Sequence, residues 1–286
     1  MQTMKILVAT DLTELSEIAA EYAVDLASQL KVREVILLNI LIPANVQTSS
    51  AVSGSFNTSM QLAEELNRTM EKKHKEIVLN HARKYSTSEV EVKPVVRINS
   101  SKTNLNEFMT EFGAGIIVTG SRNKFSFMEI LFGSETEQMI RKVDFPMIVL
   151  TGEPVPSEVR NIALAIDVAV EAEEQEGIDD VIDIAKTLHA HLQLVHIITD
   201  DNTMASKAIE IMQAIAKKRD IQNYSINVLE NDSLETGLQG FVRKYNPDMI
   251  AVLTHGKGKI HNLIYGSTSG EVIKEIEIPV LVAKCK

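Results

Sequence analysis

The chain repeats itself, and this restricts its fold more than any other feature of the sequence. Lys5-Ile6-Leu7-Val8-Ala9-Thr10-Asp11 and Asn161-Ile162-Ala163-Leu164-Ala165-Ile166-Asp167 are short apolar strands that both end in aspartate, at an offset of 156 residues. Each precedes a helix-period segment, Glu14 to Leu30 and Glu171 to Leu188, and then a second apolar strand, Val35 to Ile40 and Leu192 to Ile197. Both halves go on through a helix, a third strand (Val90 to Val96; Ser225 to Leu229), another helix and a fourth strand (Gly115 to Thr119; Asp248 to Leu253). The closing units align at an offset of 133: Gly133-Ser134, a helix and Phe145 to Leu150, against Gly266-Ser267, a helix and Ile278 to Ala283. Strands that alternate with helices imply right-handed crossovers and parallel pairing. The expected class is therefore α/β: two tandem doubly wound open parallel five-stranded sheets flanked by helices.

The fall in offset from 156 to 133 gives the first half about 23 additional residues, and the extra length centres on Pro43 to Met60, rich in Ser, Thr, Asn and Gly. This stretch reads as a loop before a long helix from Gln61 to Lys84. Domain boundaries follow at 1–151 and 158–286, with the short proline-bearing linker 152–157 holding the halves close. Pro146 and Pro279 open their strands, which suits an edge or first-residue position.

Several function classes are disfavoured. The net charge is −10 without a basic stripe, so a nucleic-acid backbone is not an expected partner. The longest apolar runs are strand-sized, and Met4 leads straight into the first strand without a signal-like segment, so no membrane or secretory role is expected. The single cysteine, Cys285, fits a reducing cytoplasm and gives no thiolate cluster. Gly113-x-Gly115 precedes a strand rather than following one, and no Gly-x4-Gly-Lys-Ser/Thr loop occurs, so neither dinucleotide nor P-loop fingerprints apply. His189, His191 and His196 are close in sequence, but His191 and His196 are five apart and point to opposite faces of a strand, which argues against zinc. No nucleophile elbow or acid–base pair is visible, so no catalytic residue is assigned.

In a doubly wound sheet the ligand crevice lies beyond the carboxyl ends of the strands, where strand order reverses. Asp11 and Asp167 fall at such ends, as do the loops Gly120 to Lys124 and Thr254 to Lys259. The helix starts at Ser134 and Ser267 add free N–H groups, which outlines an anion site. Simpler roles stay open: either aspartate serves equally as a turn or cap residue, and Ser134 with Glu137 makes a capping box. Arg122, Lys124, Lys257 and Lys259 read equally as phosphate partners or as exposed loop charges.

These residues carry a resemblance. The chain resembles the universal stress protein family, whose members have a strand-end aspartate and a Gly-x2-Gly-x9-Gly-Ser/Thr loop after the fourth strand. Here the loops read Gly120-x2-Asn123-x9-Gly133-Ser134 and Leu253-x2-Gly256-x9-Gly266-Ser267, each with the spacing kept and one glycine lost. The resemblance implies an adenine nucleotide, ATP or AMP with Mg, bound by the aspartate, the second-strand backbone and the glycine loop. The first site would comprise Asp11, Thr13, Ile40, Gly120, Arg122, Asn123, Gly133 and Ser134, and the second Asp167, Ile197, Gly256, Gly266 and Ser267. Departures occur in both halves: Asn123 and Leu253 each add a side chain where close approach is wanted, and in the second half Ala169 stands in the place of Thr13, followed by Glu171, Glu173 and Glu174, whose carboxylates oppose a polyphosphate. The resemblance further implies pairing through the last strands, as an internal pseudo-dimer and a homodimer beyond it. The implied role is a cytoplasmic stress-response regulator with at most slow ATP hydrolysis. The alternative is an interaction scaffold with decayed pockets.

Overall fold

The computed structural model describes residues 4–41, 56–98, 105–120, 143–150, 155–168, 177–199, 204–254 and 278–284. The first half contributes β1 (Lys5–Thr10), α1 (Glu14–Gln29), β2 (Glu34–Leu41), α2 (Phe56–Tyr85), β3 (Glu91–Ile98), α3 (Leu105–Phe112), β4 (Ala114–Gly120) and β5 (Met147–Leu150). The second contributes β6 (Asn161–Ala165), α4 (Gly177–Leu188), β7 (His191–Ile198), α5 (Ala205–Lys218), β8 (Tyr224–Glu230), α6 (Leu234–Tyr245), β9 (Met249–Thr254) and β10 (Val280–Lys284). The long helix begins at Phe56, so the last residues of the expected 43–60 loop are helical.

The strands are near-continuous apolar runs because both faces of the sheet are covered. Successive residues alternate between two sides: Ile6 and Val8 face one core, Leu7 and Ala9 the other. On the first side α1, α4, α5 and the C-terminal part of α2 cover a core that runs through both halves, from Ile6 to Ala283. On the opposite side the core is divided, one part under α3 with Met109 at its centre and one under α6 with Phe241. Alanines 19, 20, 23 and 27 are buried along α1 and let its backbone lie close to the sheet. The repeat extends to detail. Lys31 and His189 each leave α1 and α4 in the left-handed conformation, at φ 56° and 54°. Phe108 stacks on Phe112 as Phe241 stacks on Tyr245.

Strand order is β3-β2-β1-β4-β5-β10-β9-β6-β7-β8 in a single ten-stranded sheet. Each half is a parallel five-stranded unit with the same order, and the order reverses between β1 and β4 and again between β6 and β9. The halves meet where β5 and β10 pair antiparallel, Met147 against Val282, Ile148 against Leu281 and Val149 against Val280. Pro146 and Pro279 therefore precede interior strands, and their carbonyls accept the amides of Ile117 and Ile250 at 2.9 and 3.0 Å. Among the described residues, a proline lies inside a strand only at the free edge, as Pro94 in β3.

Entry into the second half is held by side chains. Gln29, at the end of α1, donates Nε2 to the Ser157 carbonyl at 2.9 Å and accepts the Val159 amide on Oε1 at 3.0 Å. Asp248 Oδ2 accepts the amides of Arg160 and Asn161 at 2.9 and 2.8 Å. Gln29→Ala removes two bonds across the junction, and it is expected to lower the free energy of urea unfolding by about 1–2 kcal/mol. Gln29→Glu keeps the acceptor for Val159, so in the same unfolding series it should fall between the two.

Candidate functional site at the strand ends

The two reversal points place Asp11 and Asp167 at equivalent positions just past β1 and β6. In the first half the chain turns sharply there, with Leu12 at φ 66°. Asp11 Oδ1 accepts from the Thr13 amide at 3.0 Å and from its hydroxyl at 2.6 Å. Thr13 is the N-cap of α1, its Oγ1 accepting the Ser16 amide at 3.4 Å. The Ser16 hydroxyl donates to the Thr13 carbonyl at 2.8 Å, and Thr10 Oγ1 accepts the Leu12 amide at 3.0 Å. Asp11 thus shapes the turn with one carboxylate oxygen. The other oxygen, on a half-buried residue, has no hydrogen bond among the described residues.

The β1–β2 ladder ends at Thr10 and Asn39, where a side chain also reaches the last carbonyl of β1. Asn39 Nδ2 donates to the Thr10 carbonyl at 2.8 Å, and its Oδ1 therefore accepts from His74 Nδ1 of α2 at 2.9 Å. Burial, then the charge of Lys73, holds the His74 pKa below the usual imidazole value. In the second half one residue does both jobs: His196 Nδ1 donates to the Ile166 carbonyl at 2.9 Å. The Ile166 amide donates to the Val195 carbonyl, which sets that carbonyl toward β6. By the two-residue alternation of a strand, Ile197 turns its N–H and C=O the same way, past the end of β6. Ile40 is its counterpart beside β1, paired on its other side with Arg97 of β3. Each half therefore offers a peptide edge next to its aspartate.

Gly120 ends β4, and its reason is local. A Cβ there would lie 2.4 Å from the Leu15 carbonyl oxygen, so only glycine lets the first turn of α1 press against β4. Leu253 replaces it in the second half and is buried in the core beside Ala251 and Ala283, so its bulk is absorbed by packing. Next to Gly120, Thr119 is buried, yet its Oγ1 has no hydrogen-bond partner among the described residues. An unmade buried hydroxyl bond costs about 1–3 kcal/mol. Arg122, Asn123, Gly133, Ser134, Gly256, Gly266 and Ser267 lie outside the described residues, as do Lys124, Lys257, Lys259, Ala169 and Glu171 to Glu174.

Sequence reasoning did not single out Thr10, Ser16, Asn39, His74 or Thr119. Yet Thr10, Ser16, Asn39, Thr119 and His196 are the buried polar residues of the described structure, and all stand at strand ends or in the first turn of α1. Polar residues at the ends of otherwise apolar runs were the available signal.

The universal stress protein family profile matches residues 3–151 and again 158–284. The chain belongs to the universal stress protein family. A universal stress protein from Archaeoglobus fulgidus has the same fold at a TM-score of 0.64 and 18% identity, with 99% of this chain and 97% of that one covered. A Pseudomonas aeruginosa relative, described as a putative universal stress protein, aligns at a TM-score of 0.56 and 16% identity over 99% of this chain and 94% of its own. The Universal stress protein MJ0577 of Methanocaldococcus jannaschii is 28% identical over 152 residues, 51% of this chain and 93% of its own length.

Beside the first strand-end turn, α1 is tied to α2 by ionised groups. Glu17 accepts the Tyr85 hydroxyl at 2.7 Å and Lys84 Nζ at 3.1 Å. The Tyr85 bond, assisted by Lys84 and His81, holds the Glu17 pKa below the usual carboxylate value, while burial followed by the bond to Glu17 pushes the Tyr85 hydroxyl up to about 12. Two histidines of the second half have structural partners: besides His196, His191 bonds Asn223 and Ser225 at 2.8 and 3.0 Å. No helix among the described residues is long and apolar enough to cross a membrane.

A depressed carboxyl pKa contributes stability above its unfolded value that is lost as pH falls through the folded one. Tyr85→Phe is therefore expected to cost about 1 kcal/mol at pH 7, with the gap to wild type closing below about pH 4 in urea titrations at each pH. Gly120→Ala forces the Leu15 carbonyl aside. It should lose about 1–3 kcal/mol in chemical denaturation, an effect out of scale for one methyl group at an exposed turn.

Proposed function

We propose that this universal stress protein is a cytoplasmic stress-response regulator that binds an adenine nucleotide, ATP or AMP with Mg, at its strand ends. One observation carries the reading. In each half the first strand ends in an aspartate at the point where strand order reverses, and the second strand runs on beside it through Ile40 or Ile197. That combination suits a nucleoside, with hydroxyls for a carboxylate and a base edge for an amide and a carbonyl. The phosphates and Mg are assigned to Gly120, Arg122, Asn123, Gly133 and Ser134, and in the second half to Gly256, Gly266 and Ser267, by family resemblance. No group is cast as catalytic, and hydrolysis is expected to be slow at most. We take 1–151 and 158–286 as the two domains, and the β5–β10 seam as an internal pseudo-dimer.

A scaffold reading applies to the second half in particular. There Leu253 and Val252 stand where the first half has Gly120 and Thr119, and both are buried in apolar cores. Mass spectrometry of the supernatant after denaturing the purified protein, with a Mg-ATP thermal shift beside it, separates the readings. Released adenine nucleotide or a rise in melting temperature is expected. Gly133→Val should abolish binding at the first site and Gly266→Val at the second; neither release nor shift in the wild type would leave the scaffold.

A further inference from the structure

Four of the five buried polar side chains are accounted for by protein bonds: Thr10 with Ser16, Asn39 with Thr10 and His74, and His196 with Ile166. Thr119 is the exception among them, its Oγ1 buried and unpartnered among the described residues; the buried Tyr22 hydroxyl of α1 is unpartnered too, but it lies in the core on the opposite side of the sheet. A valine has the same shape without the unmet hydrogen bond, and the chain adopts that solution in its other half. Val252 occupies the equivalent place, 133 residues on, and is buried in the core under α6. A hydroxyl kept in one copy and absent from the other is a difference that packing does not require.

Its position relates it to the strand ends. Thr119 immediately precedes Gly120 and lies in register between Ala9 of β1 and Val149 of β5. Ala9, Val149 and Ile40 share one core on that side of the sheet. β2 and β4 flank β1, which puts Thr119 and the Ile40 peptide edge about 10 Å apart across the end of β1. A group lying over that end meets a peptide edge on one side, the Asp11 carboxylate ahead and the Thr119 hydroxyl on the other.

We propose that the Thr119 hydroxyl hydrogen-bonds the nucleoside part of the nucleotide at the first site, and that its replacement by Val252 makes the second site the weaker. This inference rests on the nucleotide reading above. Removing the bond acts on the ligand's sugar or base, so the loss extends to a ligand without phosphate.

Calorimetric titration of the full chain with adenosine, AMP and Mg-ATP tests it, with Gly133→Val identifying the first-site signal. Thr119→Val is expected to keep or raise the melting temperature while weakening all three ligands about tenfold at the first site. Thr119→Ser should stay within about threefold of wild type. Wild-type affinity in Thr119→Val shows an idle hydroxyl and overturns the proposal, as does a loss confined to AMP and Mg-ATP. If Thr119→Val does not fold, Val252→Thr decides: tighter binding at the second site supports the role, and unchanged binding there overturns it. A wild-type chain that binds none of the three ligands defeats the nucleotide reading and this inference with it, a result distinct from any in which only the variants change.

Discussion

The antiparallel contact between β5 and β10 is the interaction on which the rest of this molecule depends. A parallel unit of five strands with one such strand at its margin leaves a row of amides and carbonyls unpaired, in a segment too apolar to face water. Met147–Leu150 and Val280–Lys284 are segments of this kind, and each closes the other. The closure lets one core run beneath α1, α4 and α5 through both halves. It also confines the free edges to β3 and β8, of which β3 carries Pro94.

The same sheet fixes where polar chemistry is possible. Among the described residues, the fully buried polar side chains stand near strand ends or in the first turn of α1. Thr10 and Ile166 hold the same place at the end of the first strand of each half, and the carbonyl of each accepts a side-chain donor. The halves supply that donor differently, with Asn39 backed by His74 in one and His196 alone in the other. Conserving an architecture while exchanging its hydrogen-bond donors is a sign that the two strand-end sites have diverged. Gly120 against Leu253 and Thr119 against Val252 show the same drift, in each case toward packing in the second half.

The repeat, the element order, the α/β class and the position of the aspartates were legible in residues 5–11 and 161–167 and their apolar partners, because strand and helix periods are local properties. Helix starts were less legible. The Ser/Thr/Asn-rich composition before Gln61 reads as loop, yet the helix begins at Phe56, since a growing helix tolerates such residues in its first turns. Gly120 illustrates a partial reading. Its spacing in the glycine loop marks it for phosphate approach, whereas in the fold its absent side chain makes room for the Leu15 carbonyl.

By itself the sequence determined which residues form strands and helices, that the unit occurs twice, and that each copy carries an aspartate at a strand end. Only the tertiary structure decided that ten strands form one sheet with an antiparallel seam, and that Asn39 is held by a histidine 35 residues away. It alone showed that Thr119 is buried without a bond. The physical reason is range. Hydrophobic period and turn chemistry act between near neighbours in the chain, whereas satisfying a buried donor or acceptor depends on what the completed fold brings beside it.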